Sequence, residues 1–63
     1  MFSERLKRLR MEKGITQKEL ADRLHISRST IAGYESLGKE PDSEKLCALA
    51  DFFGVSVDYL LGG

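Results

Sequence analysis

Arg28, Ser29, Ala32, Gly33 and Ser36 share one face if residues 28–36 are helical. That face is small and polar, with one long basic residue at its start. The planar fork of Arg28 can read the O6 and N7 acceptors of guanine. It can equally hold a phosphate, or simply be solvated at a helix start. Ser29 can donate or accept but discriminates weakly. Thr30 suits a phosphate contact or a half-buried position better than base reading. Gly33 costs roughly 1 kcal/mol in mid-helix relative to alanine. It fits either a close approach of the helix to nucleic acid or a helix that bends or frays near its end.

Other chemistries find little support. His25 has no cysteine or histidine partner at metal-ligand spacing. Cys47, the one cysteine, reads as a small hydrophobe on a helix flank. Glu40, Asp42 and Glu44 read as a solvated acidic loop. No glycine-rich phosphate loop, HExxH pattern or nucleophile elbow occurs. We therefore expect no metal, no cofactor and no enzyme; a small hydrolase has no catalytic constellation to rest on.

The net charge is zero, but it is unevenly placed. Residues 1–30 carry eight basic side chains against four acidic ones, and residues 31–63 carry two against six. Such asymmetry fits one face for a polyanion, or simply solvated helices. A chain of 63 residues supports one domain, residues 1–63, with one small core and no internal active-site cavity. One cysteine forms no internal disulfide, and no apolar run approaches the ~20 residues of a membrane span. With no signal-peptide pattern at the N-terminus, the expected setting is the cytoplasm, away from membranes.

The elements that must hold the polar face read as five short helices, and no strand pattern competes. The first runs from about Ser3 to Lys13, with Phe2, Leu6 and Leu9 on one face and Gly14 as a stop. Thr16 and Glu19 have capping-box spacing for the second, between the staple residues Ile15 and Leu20. Ser27 caps the third, flanked by Ile26 and Ile31. The fourth starts at Asp42 after Pro41 and ends near Phe53, with Leu46, Leu49, Ala50 and Phe53 facing inward. Ser56 caps the fifth, flanked by Val55 and Leu60. Only His25, Ile26 and Ser27 separate the second helix from the third, so this pair, about residues 17–36, must cross steeply.

The chain contains Arg5-Leu6-Lys7-Arg8-Leu9-Arg10, then Lys13-Gly14-Ile15-Thr16-Gln17-Lys18-Glu19-Leu20-Ala21. Ile26-Ser27-Arg28-Ser29-Thr30-Ile31-Ala32-Gly33-Tyr34-Glu35 follows, then Gly38-Lys39-Glu40-Pro41. Phe53-Gly54-Val55-Ser56-Val57-Asp58-Tyr59-Leu60-Leu61 closes the series. In this order, over nearly the whole chain, these segments resemble the phage repressor and Cro (Xre) family of helix-turn-helix regulators. The resemblance implies an all-α, compact five-helix, lambda-repressor-like DNA-binding domain, usually acting as a dimer on a palindromic operator.

Carried over by residue, the resemblance places Gln17 at the DNA backbone, where the second helix opens. It places Arg28, Ser29 and Gly33 at base-facing positions of the recognition helix. It matches Arg10 and Glu35 to an ion pair that is buried in some members. On charge alone Arg10 could instead bind phosphate, and Gln17 could be merely solvated. On charge, Lys18, Arg23 and Lys39 could each add to the backbone contact or simply be solvated, and Thr30 could meet a phosphate or be half-buried. Tyr34 fits the core or an interface. His25 stands where the family most often has a left-handed glycine, so a positive φ is expected there. Gly38 falls one residue later than in the common pattern, and Asp42 replaces a basic residue of some members.

The expected function is sequence-specific binding of double-stranded DNA by a transcriptional regulator, a repressor that occupies a promoter. The alternative is a protein-binding or antitoxin-like helix-turn-helix module. Phe52, Val57, Tyr59 and Leu61 are more apolar than a small core easily absorbs, and form the candidate interface of a homodimer, formed fully only on DNA if not before. Burial in the core is the plainer reading, expected for at least one or two of them.

Overall fold

A computed structural model describes residues 2–62. Its five helices are α1 (Phe2–Lys13), α2 (Gln17–Leu24), α3 (Arg28–Ser36), α4 (Ser43–Phe53) and α5 (Val57–Leu60). No strand occurs among the described residues. The all-α, five-helix reading therefore holds, with two small corrections. α1 begins at Phe2, which is buried and anchors the first turn, and Asp42 is the cap of α4 rather than its first helical residue.

Four of the helices begin with a side chain that satisfies an orphan backbone amide. Thr16 Oγ1 accepts from the Glu19 amide at 3.1 Å, and the Glu19 carboxylate accepts from the Thr16 amide at 2.8 Å. Ser27, Asp42 and Ser56 accept in the same way from Thr30, Lys45 and Tyr59. The amide of Lys45 holds the Asp42 carboxyl below the ordinary carboxylate range.

Three of the helix ends also share one form. Gly14, His25 and Gly54 adopt left-handed conformations, with φ of 71°, 57° and 68°. In each case the next amide reaches back across the last turn. Ile15 donates to the Arg10 carbonyl, Ile26 to that of Ala21 and Val55 to that of Ala50. These are Schellman closures, in which the residue after the left-handed one turns its apolar side chain onto the helix it has just left. Ile15, Ile26 and Val55 all pack against the core. Thr16, Ser27 and Ser56 then cap the next helix. One three-residue connector, left-handed residue, aliphatic residue, hydroxyl cap, thus occurs three times.

The core is a single cluster of Phe2, Leu6, Leu20, Ala21, Ile31, Tyr34, Leu49, Ala50 and Leu60. Leu6, Leu20, Ile31, Leu49 and Leu60 are completely enclosed. Tyr34 belongs to this core, edge-on to Phe2 with ring centroids 6.0 Å apart. Burial pushes its phenol pKa up. Cys47 is exposed on α4, off the inward face, which is filled by Leu49 and Ala50 with Leu46 and Phe53 beside them.

Arg10 of α1 and Glu35 of α3 meet directly. Arg10 Nε donates to Glu35 Oε2 at 2.8 Å and Nη2 to Oε1 at 3.1 Å. Its Nη1 donates to the Ile15 carbonyl at 2.8 Å. The two side chains are 13 % and 2 % exposed. The hydrogen bonds from Arg10 to Glu35 raise the guanidinium pKa above its already high value. α1 is thereby tied both to the α1–α2 connector and to the end of α3.

Two outcomes are expected. Glu35→Ala leaves a largely buried guanidinium without its partner and should cost about 3–5 kcal/mol. The double variant Arg10→Met, Glu35→Leu should recover most of that loss in urea titrations; no recovery would mean that the charges themselves are needed for folding. His25→Gly relieves a left-handed non-glycine residue but loosens the unfolded chain, so it should be neutral or stabilising by up to about 1 kcal/mol. A clear fall in thermal midpoint would count against this account of the connector.

Candidate nucleic-acid interface

The α2–α3 pair is set by its connector. The closure at His25 ends α2, and Ser27 restarts the helix with no residue to spare. Arg28 is the first residue of α3, and both Arg28 and Ser29 are exposed. Nothing in the chain forms an ion pair with Arg28 among the described residues. Its fork is available to an acceptor outside the protein.

The neighbouring hydroxyls are more occupied. Ser27 Oγ lies 2.7 Å from Thr30 Oγ1 and 3.2 Å from Ser29 Oγ. Thr30 is half-buried and tied to the cap. Ser29 is exposed, so it keeps free hydrogen-bonding capacity.

Two expected contact residues sit differently from the reading above. Gly33 is buried, not on an open face, because Lys39 folds back over it; Ala32 is half-buried. The Gln17 side chain is half-buried, and its Nε2 donates to Glu35 Oε1 at 3.1 Å. The side chain is therefore tied to the end of α3 rather than standing free at the start of α2. That link was missed because it depends on the meeting of two helices; the glutamine, arginine and glutamate themselves were all in view. Lys39 is exposed. Lys18 pairs with Asp22 at 3.0 Å in open solvent, an interaction of little energetic weight. Arg23 lines a shallow groove with Lys13, Ile15, Glu19, Asp22 and Phe52.

The four residues of the candidate dimer surface divide. Phe52 and Val57 are partly buried and pack against the core, the plainer reading expected for at least one or two of the four, and this leaves less of them for a contact between copies. Phe52 is held edge-on to Phe53, with the Lys13 ammonium 5.4 Å from its ring. Tyr59 and Leu61 are 40 % and 42 % exposed. The Arg5 guanidinium lies 4.2 Å from the Tyr59 ring centroid and donates to the Tyr59 carbonyl at 2.9 Å. Leu37 and Met11 are more exposed than either, and neither stood out in the sequence.

No group of three or more potential metal-ligating side chains occurs among the described residues. No helix among them is long and apolar enough to cross a membrane.

A family model described as helix-turn-helix matches residues 6–60. The SPbeta prophage-derived uncharacterized HTH-type transcriptional regulator YonR of Bacillus subtilis is 46 % identical, over 100 % of this chain and 58 % of its own length. The uncharacterized HTH-type transcriptional regulator YqaE of the same organism is 44 % identical, over 100 % of this chain and 54 % of its own. The crystal structure of a transcriptional regulator from Listeria innocua matches with a TM-score of 0.92 at 40 % identity, covering 100 % of this chain and 59 % of that one. The chain spans about half the length of the curated relatives it matches. With the family's pattern running from Leu6 to Leu60 and its helix pair joined through His25, this chain belongs to the helix-turn-helix family, in its phage repressor and Cro (Xre) branch.

Proposed function

We propose that this domain binds double-stranded DNA sequence-specifically, with α3 in the major groove, as the reading head of a transcriptional regulator. The observation that carries this is Arg28: a free guanidinium at the first position of α3, on a helix pair whose geometry is fixed by its connector. In such pairs the N-terminal residues of the second helix lie against base edges. Ser29 adjoins it, and Lys39 lies over the same helix. Gln17 stands at the first position of α2, where a phosphate can meet helix-start amides. Its bond from Nε2 to Glu35 would orient the side chain for that contact. The activity is binding, not turnover, and its setting is the cytoplasm. Regulation would follow from occupancy, with repression when the operator overlaps a promoter.

Selection of duplexes from a random pool tests this directly. An enriched motif is expected; a protein-binding or antitoxin-like module would enrich none. Arg28→Ala should then weaken binding to the selected duplex by roughly 1–3 kcal/mol, with little change on random DNA and relaxed preference at one base pair. An equal loss on both DNAs would reassign Arg28 to a phosphate.

One domain of zero net charge should bind DNA weakly without sequence preference. We infer that two copies act on a palindromic operator, with recognition helices about 34 Å apart. Tyr59 and Leu61 supply the apolar side chains still available for a two-fold contact. Inserting five base pairs between half-sites turns one of them to the opposite face of the duplex. Cooperative binding should vanish on that duplex; equal affinity and equal cooperativity on both would rule the dimer out.

A further inference from the structure

Gly33 lies on the α3 face that carries Ser29, one turn further along, about 6 Å on. It is buried although it has no side chain to bury. A Cβ built on it would have one neighbour within 4 Å beyond adjacent residues and the helix's own backbone. That neighbour is Lys39 Cδ, at 3.4 Å. The loop is held there by the backbone. The Leu37 and Lys39 amides both donate to the Gly33 carbonyl, at 3.0 and 3.4 Å. Gly38, with φ of 70°, turns the chain between them. Lys39 is itself exposed and forms no ion pair among the described residues. Its methylene stem passes over Gly33, the use a lysine stem commonly has at an apolar surface.

We propose that Lys39 is a base-reading residue and that Gly33 is its seat. The proposal rests on the DNA-binding reading above. Lys39 occupies the place on α3 that a side chain at position 33 would fill, and carries its charge to the helix face that begins with Arg28 and Ser29. An alanine methyl at 33 would touch the stem in ordinary contact; a longer side chain would push it aside. Lysine, like arginine, matches the O6 and N7 acceptors of guanine. The domain would then read guanine at two places, once from the first turn of α3 and once from a loop laid over its later turns.

The test selects random duplexes with four forms of the chain: wild type, Lys39→Met, Gly33→Gln and the double variant. Lys39→Met keeps a stem over Gly33 and removes the charge, and a melting curve checks that it folds. It should lose a guanine preference at one position and bind the wild-type duplex about 5- to 150-fold more weakly. Random DNA should be bound almost as before. Gly33→Gln should alter preference at the same position, and adding Lys39→Met should change it no further. If Lys39→Met enriches the wild-type motif, whether its binding falls uniformly or not at all, Lys39 is a phosphate or solvent group and the proposal is overturned. If wild type enriches no motif, the DNA-binding reading fails first and takes the proposal with it.

Discussion

The Glu35 carboxylate is almost wholly withdrawn from water at the last turn of α3. A lone carboxylate in such a place costs several kcal/mol. Here it accepts twice from Arg10 and once from Gln17, and the third arm of Arg10 is taken by the Ile15 carbonyl. Four segments therefore meet at one charge: α1, the connector after it, the start of α2 and the end of α3. The helix pair is closed at one end by His25 to Ser27 and at the other by Glu35. Neither α2 nor α3 can swing without unpairing a buried ion. Such a site is better understood as fixing geometry than as adding stability, since an apolar replacement of the pair can be nearly neutral.

What the sequence disclosed follows from how far apart the interacting residues are. The capping box of Thr16 and Glu19 spans three residues, and each staple spans five. Those interactions are written in neighbouring letters, and the helices lie where they indicate. The left-handed turn at His25 was legible only through the family, because histidine does not announce a positive φ as glycine does. The burial of Gly33 was not legible, because it depends on a loop returning from six residues away. The bond from Gln17 to Glu35 was not legible for the same reason, since the two meet only once α2 and α3 have packed. Which of Phe52, Val57, Tyr59 and Leu61 would be covered was not legible, because it depends on how α4 and α5 pack together. Leu37 went unremarked because exposure at a helix end has no pattern of its own.

The surface around α3 is a composite. Its first part, Arg28 and Ser29, is carried by a helix whose start is capped. Its later part is a glycine overlaid by a lysine from a loop. A helix position is read in discrete choices of side chain, whereas a loop-borne lysine can shift its ammonium by rotating four bonds. The first presents a planar fork at a fixed place and the second a point charge on a flexible stem.

The three connectors have a consequence for how this domain can change over time. Each sets the direction of the next helix through bonds among residues only a few places apart. With Glu35 closing the far end of the pair, the angle between α2 and α3 rests on the connector and on that ion pair, and not on Leu49 or Leu60. Loss of a methylene from Leu49 or Leu60 would lower the fraction of molecules that are folded, while those that remain folded present the same outline to a duplex. Core and reading head can drift separately: the one governs how many working copies exist, the other what each copy recognises.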